Sequence, residues 1–139
     1  MTDDTLEITR HFDAPPERVF DAWLQDGWGA WIGPREATGE IVLLEPRVGG
    51  RYQASILYDG RTMSLSGVYR EFQRPEKIRM TWKWGHDPQE TEITLSFRPK
   101  GTGTELTLRQ TGFASTERRD GHVGGWNVTL EKLAEYLAR

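Results

Sequence analysis

The feature that most constrains this chain is its C-terminal stretch, Gly121-His-Val-Gly-Gly-Trp-Asn-Val-Thr-Leu-Glu-Lys-Leu-Ala-Glu-Tyr-Leu137. Val123, Trp126, Leu130, Leu133, Ala134 and Leu137 recur at helical spacing and predict a long amphipathic helix with one apolar stripe. Ser115 or Thr116 supplies a cap for its start, and Glu117 adds a favourable charge in the first turn. Such a helix needs an apolar surface to lie on. Glycines at 121, 124 and 125 interrupt an otherwise good helix-forming sequence, each at a cost of about 1 kcal/mol relative to alanine. Two readings account for them: close approach of another backbone, or space left open beside Trp126. A helix closing over a sheet with a gap beneath it builds a pocket.

The surface for that helix comes from the middle of the chain, where apolar residues alternate. Leu6 to Phe12 predicts a strand with Leu6, Ile8, Arg10 and Phe12 on one face and His11 on the other, exposed. Asp13-Ala-Pro-Pro-Glu17 then reads as a cap residue followed by prolines in a first helical turn. Val19, Phe20, Trp23 and Leu24 give a short helix, and Trp28, Trp31 and Ile32 a second one that ends at Gly33-Pro34. Strands follow over 38–44, 51–58, 62–72, 77–84, 90–98 and 104–111. Asp59-Gly60 is a two-residue hairpin signal between the second and third of these. Strands bunched together with helices at either end predict an α+β fold with an antiparallel sheet, one face wet and the other packed on the long helix. At 139 residues without repeats or linkers, the chain 1–139 reads as a single domain.

Composition narrows the function classes. The net charge is −3 and no basic run or face is visible, which argues against nucleic acid and anionic membrane as partners. The absence of cysteine excludes disulfides, thiolate metal sites and cysteine nucleophiles, and fits a reducing cytoplasm. Met1-Thr-Asp-Asp-Thr5 has no apolar core of a signal peptide, and no apolar run is long enough to insert in a membrane. The expected setting is cytoplasmic.

The chemistry-bearing residues are few. His11, His86 and His122 fall in different elements and form no metal-binding pair. No nucleophile elbow is present, and Gly49-Gly50 and Gly101-Thr-Gly103 join strand to strand, whereas phosphate loops lead into a helix. Glu92, Glu105, Glu131 and Glu135 fall on polar faces. No catalytic residue, metal or cofactor is assigned. Arg10 and Gln110 share strand faces with core residues, so each requires a partner if buried; Arg10 can equally pack its stem and keep its head in water. Gln110 is placed to point toward His122 and Trp126. His122, one turn before Trp126, is the best titratable candidate, either a partly buried histidine satisfied by a neighbour or an acid-base group. The tryptophans at 23, 31, 82, 84 and 126 divide between core and cavity wall.

Several segments together resemble one family. They are Thr9-Arg-His-Phe-Asp-Ala-Pro-Pro-Glu-Arg-Val-Phe-Asp-Ala-Trp23, Trp31-Ile-Gly-Pro34, Pro46-Arg-Val-Gly-Gly-Arg-Tyr52, Gly67 to Phe72 through Pro75-Glu-Lys-Ile78, Thr81-Trp82, Gln110-Thr-Gly-Phe113, and Gly125 to Leu133. The chain resembles the activator-of-heat-shock-protein-ATPase homologue (AHSA-like) family, within the START-like (SRPBCC) helix-grip superfamily. The resemblance implies a curved antiparallel sheet of six to seven strands wrapped around the C-terminal helix, with two short helices after the first strand and a cavity between sheet and helix. It implies either ligand binding or activation of a heat-shock chaperone ATPase in a stress response. The family commonly has histidine where this chain has Gln110, and glutamine is neither acid nor base near neutral pH. The leading expectation is a small hydrophobic or aromatic ligand, with Trp82, Trp126 and Tyr52 as walls, Gln110 and His122 as orienting groups and Trp31 at the entrance. A chaperone partner is the second expectation, and a cyclase- or hydratase-type enzyme using His122 the third.

Overall fold

The structure is a computed structural model that describes residues 4–25 and 27–139. These form strand β1 (Leu6–Phe12), helix α1 (Pro16–Asp21), a single 3₁₀ turn (Trp28–Ala30), strands β2 (Thr38–Leu44), β3 (Arg51–Tyr58), β4 (Arg61–Gln73), β5 (Lys77–Trp84), β6 (Glu90–Lys100) and β7 (Gly103–Thr111), and helix α2 (Thr116–Leu137). The strands make one antiparallel sheet in the order β1-β7-β6-β5-β4-β3-β2. From β2 to β7 every strand pairs with its sequence neighbour, as short hairpin connections require. β1 and β2 therefore lie on opposite edges, and α1 with the 3₁₀ turn carries the chain between them.

Alternation decides which face is dry. Tyr52, Ala54 and Ile56 on β3, Ile93, Leu95 and Phe97 on β6, and Leu106, Leu108 and Gln110 on β7 are buried on the same side as α2. Asp59 and Gly60 take φ of 51° and 73°, the left-handed pair a two-residue hairpin needs. Register shifts between Ile41 and Leu43 and between Tyr69 and Glu71 bend β2 and β4. Near the second of these, the Tyr52 ring lies over Gly67 and its hydroxyl donates to the Thr81 carbonyl at 2.5 Å. A Cβ on Gly67 would sit 2.0 Å from that carbonyl oxygen, so only glycine fits.

Helix α2 buries Trp126, Thr129, Leu130, Leu133 and Leu137 against the sheet. Ser115 is its cap, its hydroxyl accepting from the Arg118 N–H at 3.2 Å. Ala134, expected in the apolar stripe, is exposed; Leu130, Leu133 and Leu137 complete the seam, and Tyr136 on its flank meets the Arg18 guanidinium at 5.8 Å. The start of α1 also differs from expectation. Pro15 occupies the cap position with no side-chain bond, Pro16 opens the helix, and Asp13 lies outside it. The prolines set φ for a helical start by themselves, so no side-chain cap is needed.

Polar contacts along its length hold α2 in place. Arg18 donates to the Leu137 carbonyl at 3.0 Å, and Arg10 donates to the Asn127 side-chain oxygen, so the Arg10 stem packs in the sheet while its head has a partner. Lys132 Nζ donates to the carbonyls of Ile32, Gly33 and Pro34 at 3.3, 3.2 and 2.9 Å. Burial lowers the Lys132 pKa, with the nearby Arg35 charge acting in the same direction. No helix among the described residues is long and apolar enough to cross a membrane.

Candidate functional site

The glycines of α2 face open space. A Cβ built on Gly121, Gly124 or Gly125 meets nothing within 4 Å, which rules out the close approach of another backbone. Gly121 and Gly125 border a cavity of about 680 Å³, while Gly124 faces solvent. Across from the glycines stand Trp82 and Trp84 at the end of β5, Tyr58 at the end of β3, and Trp28 from the 3₁₀ turn. The segment Ile32–Arg35, which Lys132 fastens to α2, forms one rim, and Arg118 and His122 in the first turns of α2 form the other. The volume falls within the range of small-molecule pockets, and the walls are mostly apolar rings with a few polar groups.

Trp126 is the central ring of this wall. It stands 5.3 Å from Trp82 and 6.0 Å from Trp23, centroid to centroid. Its indole N–H donates to Gln110 Oε1 at 2.8 Å, and the Gln110 amide donates from Nε2 to Thr91 Oγ1 at 2.8 Å. An indole nitrogen can only donate, so the amide orientation follows from the network. Thr91 in turn donates to the Trp82 carbonyl at 3.4 Å. Gln110 is fully buried and lies behind the cavity wall, where it braces Trp126 without bordering the open volume. By contrast, the buried indole N–H groups of Trp23 and Trp82 have no protein partner among the described residues.

His122 borders the cavity with its ring against Phe113 at 4.9 Å. Its Nδ1 is 3.0 Å from the Arg118 carbonyl oxygen, which only accepts, so Nδ1 carries the proton and a neutral ring leaves Nε2 as an acceptor. The other titratable groups on the cavity are Tyr58, Arg35 and Arg118; no carboxylate borders it among the described residues. Arg35 is held by both oxygens of Glu135, at 3.2 and 2.9 Å, with Glu131 at 3.6 Å. That hydrogen bonding lowers the Glu135 pKa. Arg118 pairs through Nη1 with Asp87, whose pKa is lowered first by the Gln89 N–H and then by Arg118. The described residues offer no cluster of His, Asp and Glu that could hold a metal ion.

Of the residues expected at the site, Trp82, Trp126 and His122 meet at the cavity. Tyr52, Trp31 and Gln110 lie one layer behind it. Tyr52 lies beneath Trp28 with ring centroids 5.4 Å apart and planes tilted by 54°, and it does not border the open volume, so it supports the wall and does not form it. Trp31 meets Trp23 edge-on at 4.7 Å, donates to the Ala22 carbonyl at 2.9 Å and does not border the open volume, so it forms no entrance. Cavity residues that sequence reasoning missed are Trp28, Tyr58, Arg35 and Arg118, while Trp84 was named only among the tryptophans to be divided between core and cavity wall. Arg118 carried a usable signal, since it extends the stripe of Gly121, His122, Gly125 and Trp126 back by one turn. Arg35 had an indirect one, because Glu131 and Glu135 repel at i, i+4 unless a cation stands over them.

A family model described as "Activator of Hsp90 ATPase homolog 1-like protein" matches residues 13–138. The chain belongs to that family. Its Hsp90-activator-like fold is close to that of protein CV1439 from Chromobacterium violaceum, with a TM-score of 0.89 and 28% identity over 97% of this chain and 98% of that one. An AHSA1 protein from Silicibacter pomeroyi aligns with a TM-score of 0.83 and 26% identity, covering 96% and 97% of the two chains. CalU16 from Micromonospora echinospora shares the fold at a TM-score of 0.71 and 21% identity, over 96% of this chain and 75% of that one. No functionally curated protein matches the sequence.

Proposed function

We propose that this family member binds a small hydrophobic or aromatic molecule between the sheet and the N-terminal half of α2. The observation that carries the reading is the cavity of about 680 Å³, faced on one side by tryptophan rings and on the other by two helical glycines with open space where side chains would stand. Flat apolar walls favour a planar ligand, which gains from stacking and from removal of apolar surface from water. The absence of a carboxylate to pair with His122 among the described residues of the cavity favours binding over acid-base catalysis. The cysteine-free sequence suits work in a reducing cytoplasm.

Native mass spectrometry of the purified protein after exposure to a host metabolite extract tests this directly. A reproducible bound mass that disappears on filling the cavity with Gly125→Leu supports the reading. Absence of any adduct across several extracts refutes it. A second reading, activation of a heat-shock chaperone ATPase, is favoured by the family's description. It predicts a rise in chaperone ATP turnover on addition of this protein, and a rise that survives Gly125→Leu would shift the function from the cavity to the surface.

A further inference from the structure

The cavity is elongated and carries unequal charges at its two ends. Its border on α2 runs from Arg118 to Thr129, about 16 Å at about 1.5 Å per residue. Arg118 stands at one end and Arg35, against Glu131 and Glu135 further along the helix, at the other. The two arginines are not equivalent. Both Arg35 Nη atoms engage Glu135, and Glu131 lies 3.6 Å away, so two carboxylates already face one guanidinium. Arg118 meets one carboxylate, Asp87, through Nη1 alone; its Nε and Nη2 have no protein partner among the described residues, and its side chain is 49% exposed.

From this we infer that the ligand is an elongated aromatic carboxylate whose acidic group binds Arg118, an inference that rests on the ligand-binding reading above. An arginine with free donors at the end of an apolar slot is suited to a planar anion, because its paired N–H groups match carboxylate geometry. With no carboxylate on the cavity walls among the described residues, a ligand anion meets no like charge until it reaches Asp87. Asp87 then competes with the ligand for the same guanidinium. The aromatic body lies along the tryptophan wall, over Gly121 and Gly125.

Biphenyl-4-carboxylate and its neutral counterpart biphenyl-4-methanol test the inference by calorimetric titration of the full chain. The carboxylate should bind wild type about ten-fold more tightly, as one partly solvated charge-assisted contact allows. Arg118→Gln should abolish that preference, and Asp87→Asn, which frees the guanidinium, should widen it; circular dichroism confirms that each variant is folded. Equal affinities in wild type, or a preference that persists in Arg118→Gln, overturn the assignment of the anion site while leaving the cavity reading intact. Failure of wild type to bind either compound overturns the elongated aromatic carboxylate as the ligand class, while the cavity reading itself is decided by the native mass spectrometry above.

Discussion

Replacing Gly125 separates the cavity from the stability of the helix that covers it. Glycine in a helix interior costs about 1 kcal/mol relative to alanine, through backbone entropy. A Cβ added to Gly125 would meet no atom within 4 Å, so nothing offsets the gain from replacing it. Gly125→Ala should therefore stabilise the fold by about 1 kcal/mol. For a chain of this size the unfolding entropy converts that to a rise in Tm of about 3 °C. Gly125→Leu should keep most of the gain, because leucine is nearly as good a helix former, while its side chain fills the cavity and blocks ligand. Differential scanning calorimetry and titration with an aromatic probe measure the two effects on the same samples. A fall in Tm for Gly125→Ala would refute the reasoning, since it would mean that a backbone or side chain approaches the glycine. So would undiminished probe binding by Gly125→Leu.

Gln110→Leu leaves the Trp126 indole and the Thr91 hydroxyl without their buried partner, and should cost about 1–3 kcal/mol. Gln110→His, able to accept from one group and donate to the other, should recover much of this, as read by urea denaturation. Gly67→Ala should unfold the protein or lower its stability by several kcal/mol, because the added Cβ would strike the Thr81 carbonyl at 2.0 Å; normal expression with an unchanged melt would contradict the packing of Tyr52. Hydrogen bonds, and after them nearby positive charges, lower the pKa values of Glu71, Asp87, Glu105 and Glu135. Their stabilisation is fully present above the unfolded carboxylate range near about 4 and is lost as pH falls through the lower folded values. Melting temperature should hold steady from about pH 7 to 5 and decline below that, by less in high salt.

Much of the fold was legible because alternation and helical spacing are local signals. The 38–44, 51–58 and 77–84 strands match their observed bounds, and Asp59-Gly60 forms the expected turn. The cavity was less legible. Tyr52 and Trp82 both point to the inner face of the sheet, and nothing in either strand tells which one lies beneath open space. That depends on where α2 crosses the sheet and on how Lys132 positions the Ile32–Pro34 carbonyls, two matters of long-range packing. Trp31 was expected at an entrance. Its indole instead finds the Ala22 carbonyl, a partner nine residues away that no periodicity reveals. The helix glycines did carry the signal: close approach is excluded at all three, and the open space is the cavity at Gly121 and Gly125 but solvent at Gly124.

The central claim is that the tryptophans divide into a wall that meets ligand and a layer that does not. Indole N–H resonances of ¹⁵N-labelled protein report the tryptophans separately during titration with biphenyl-4-carboxylate. Signals of Trp28, Trp82, Trp84 and Trp126 should shift together and saturate with one Kd, while those of Trp23 and Trp31, buried behind the wall, move far less. Shifts spread equally over both groups, or confined to neither, would contradict the account.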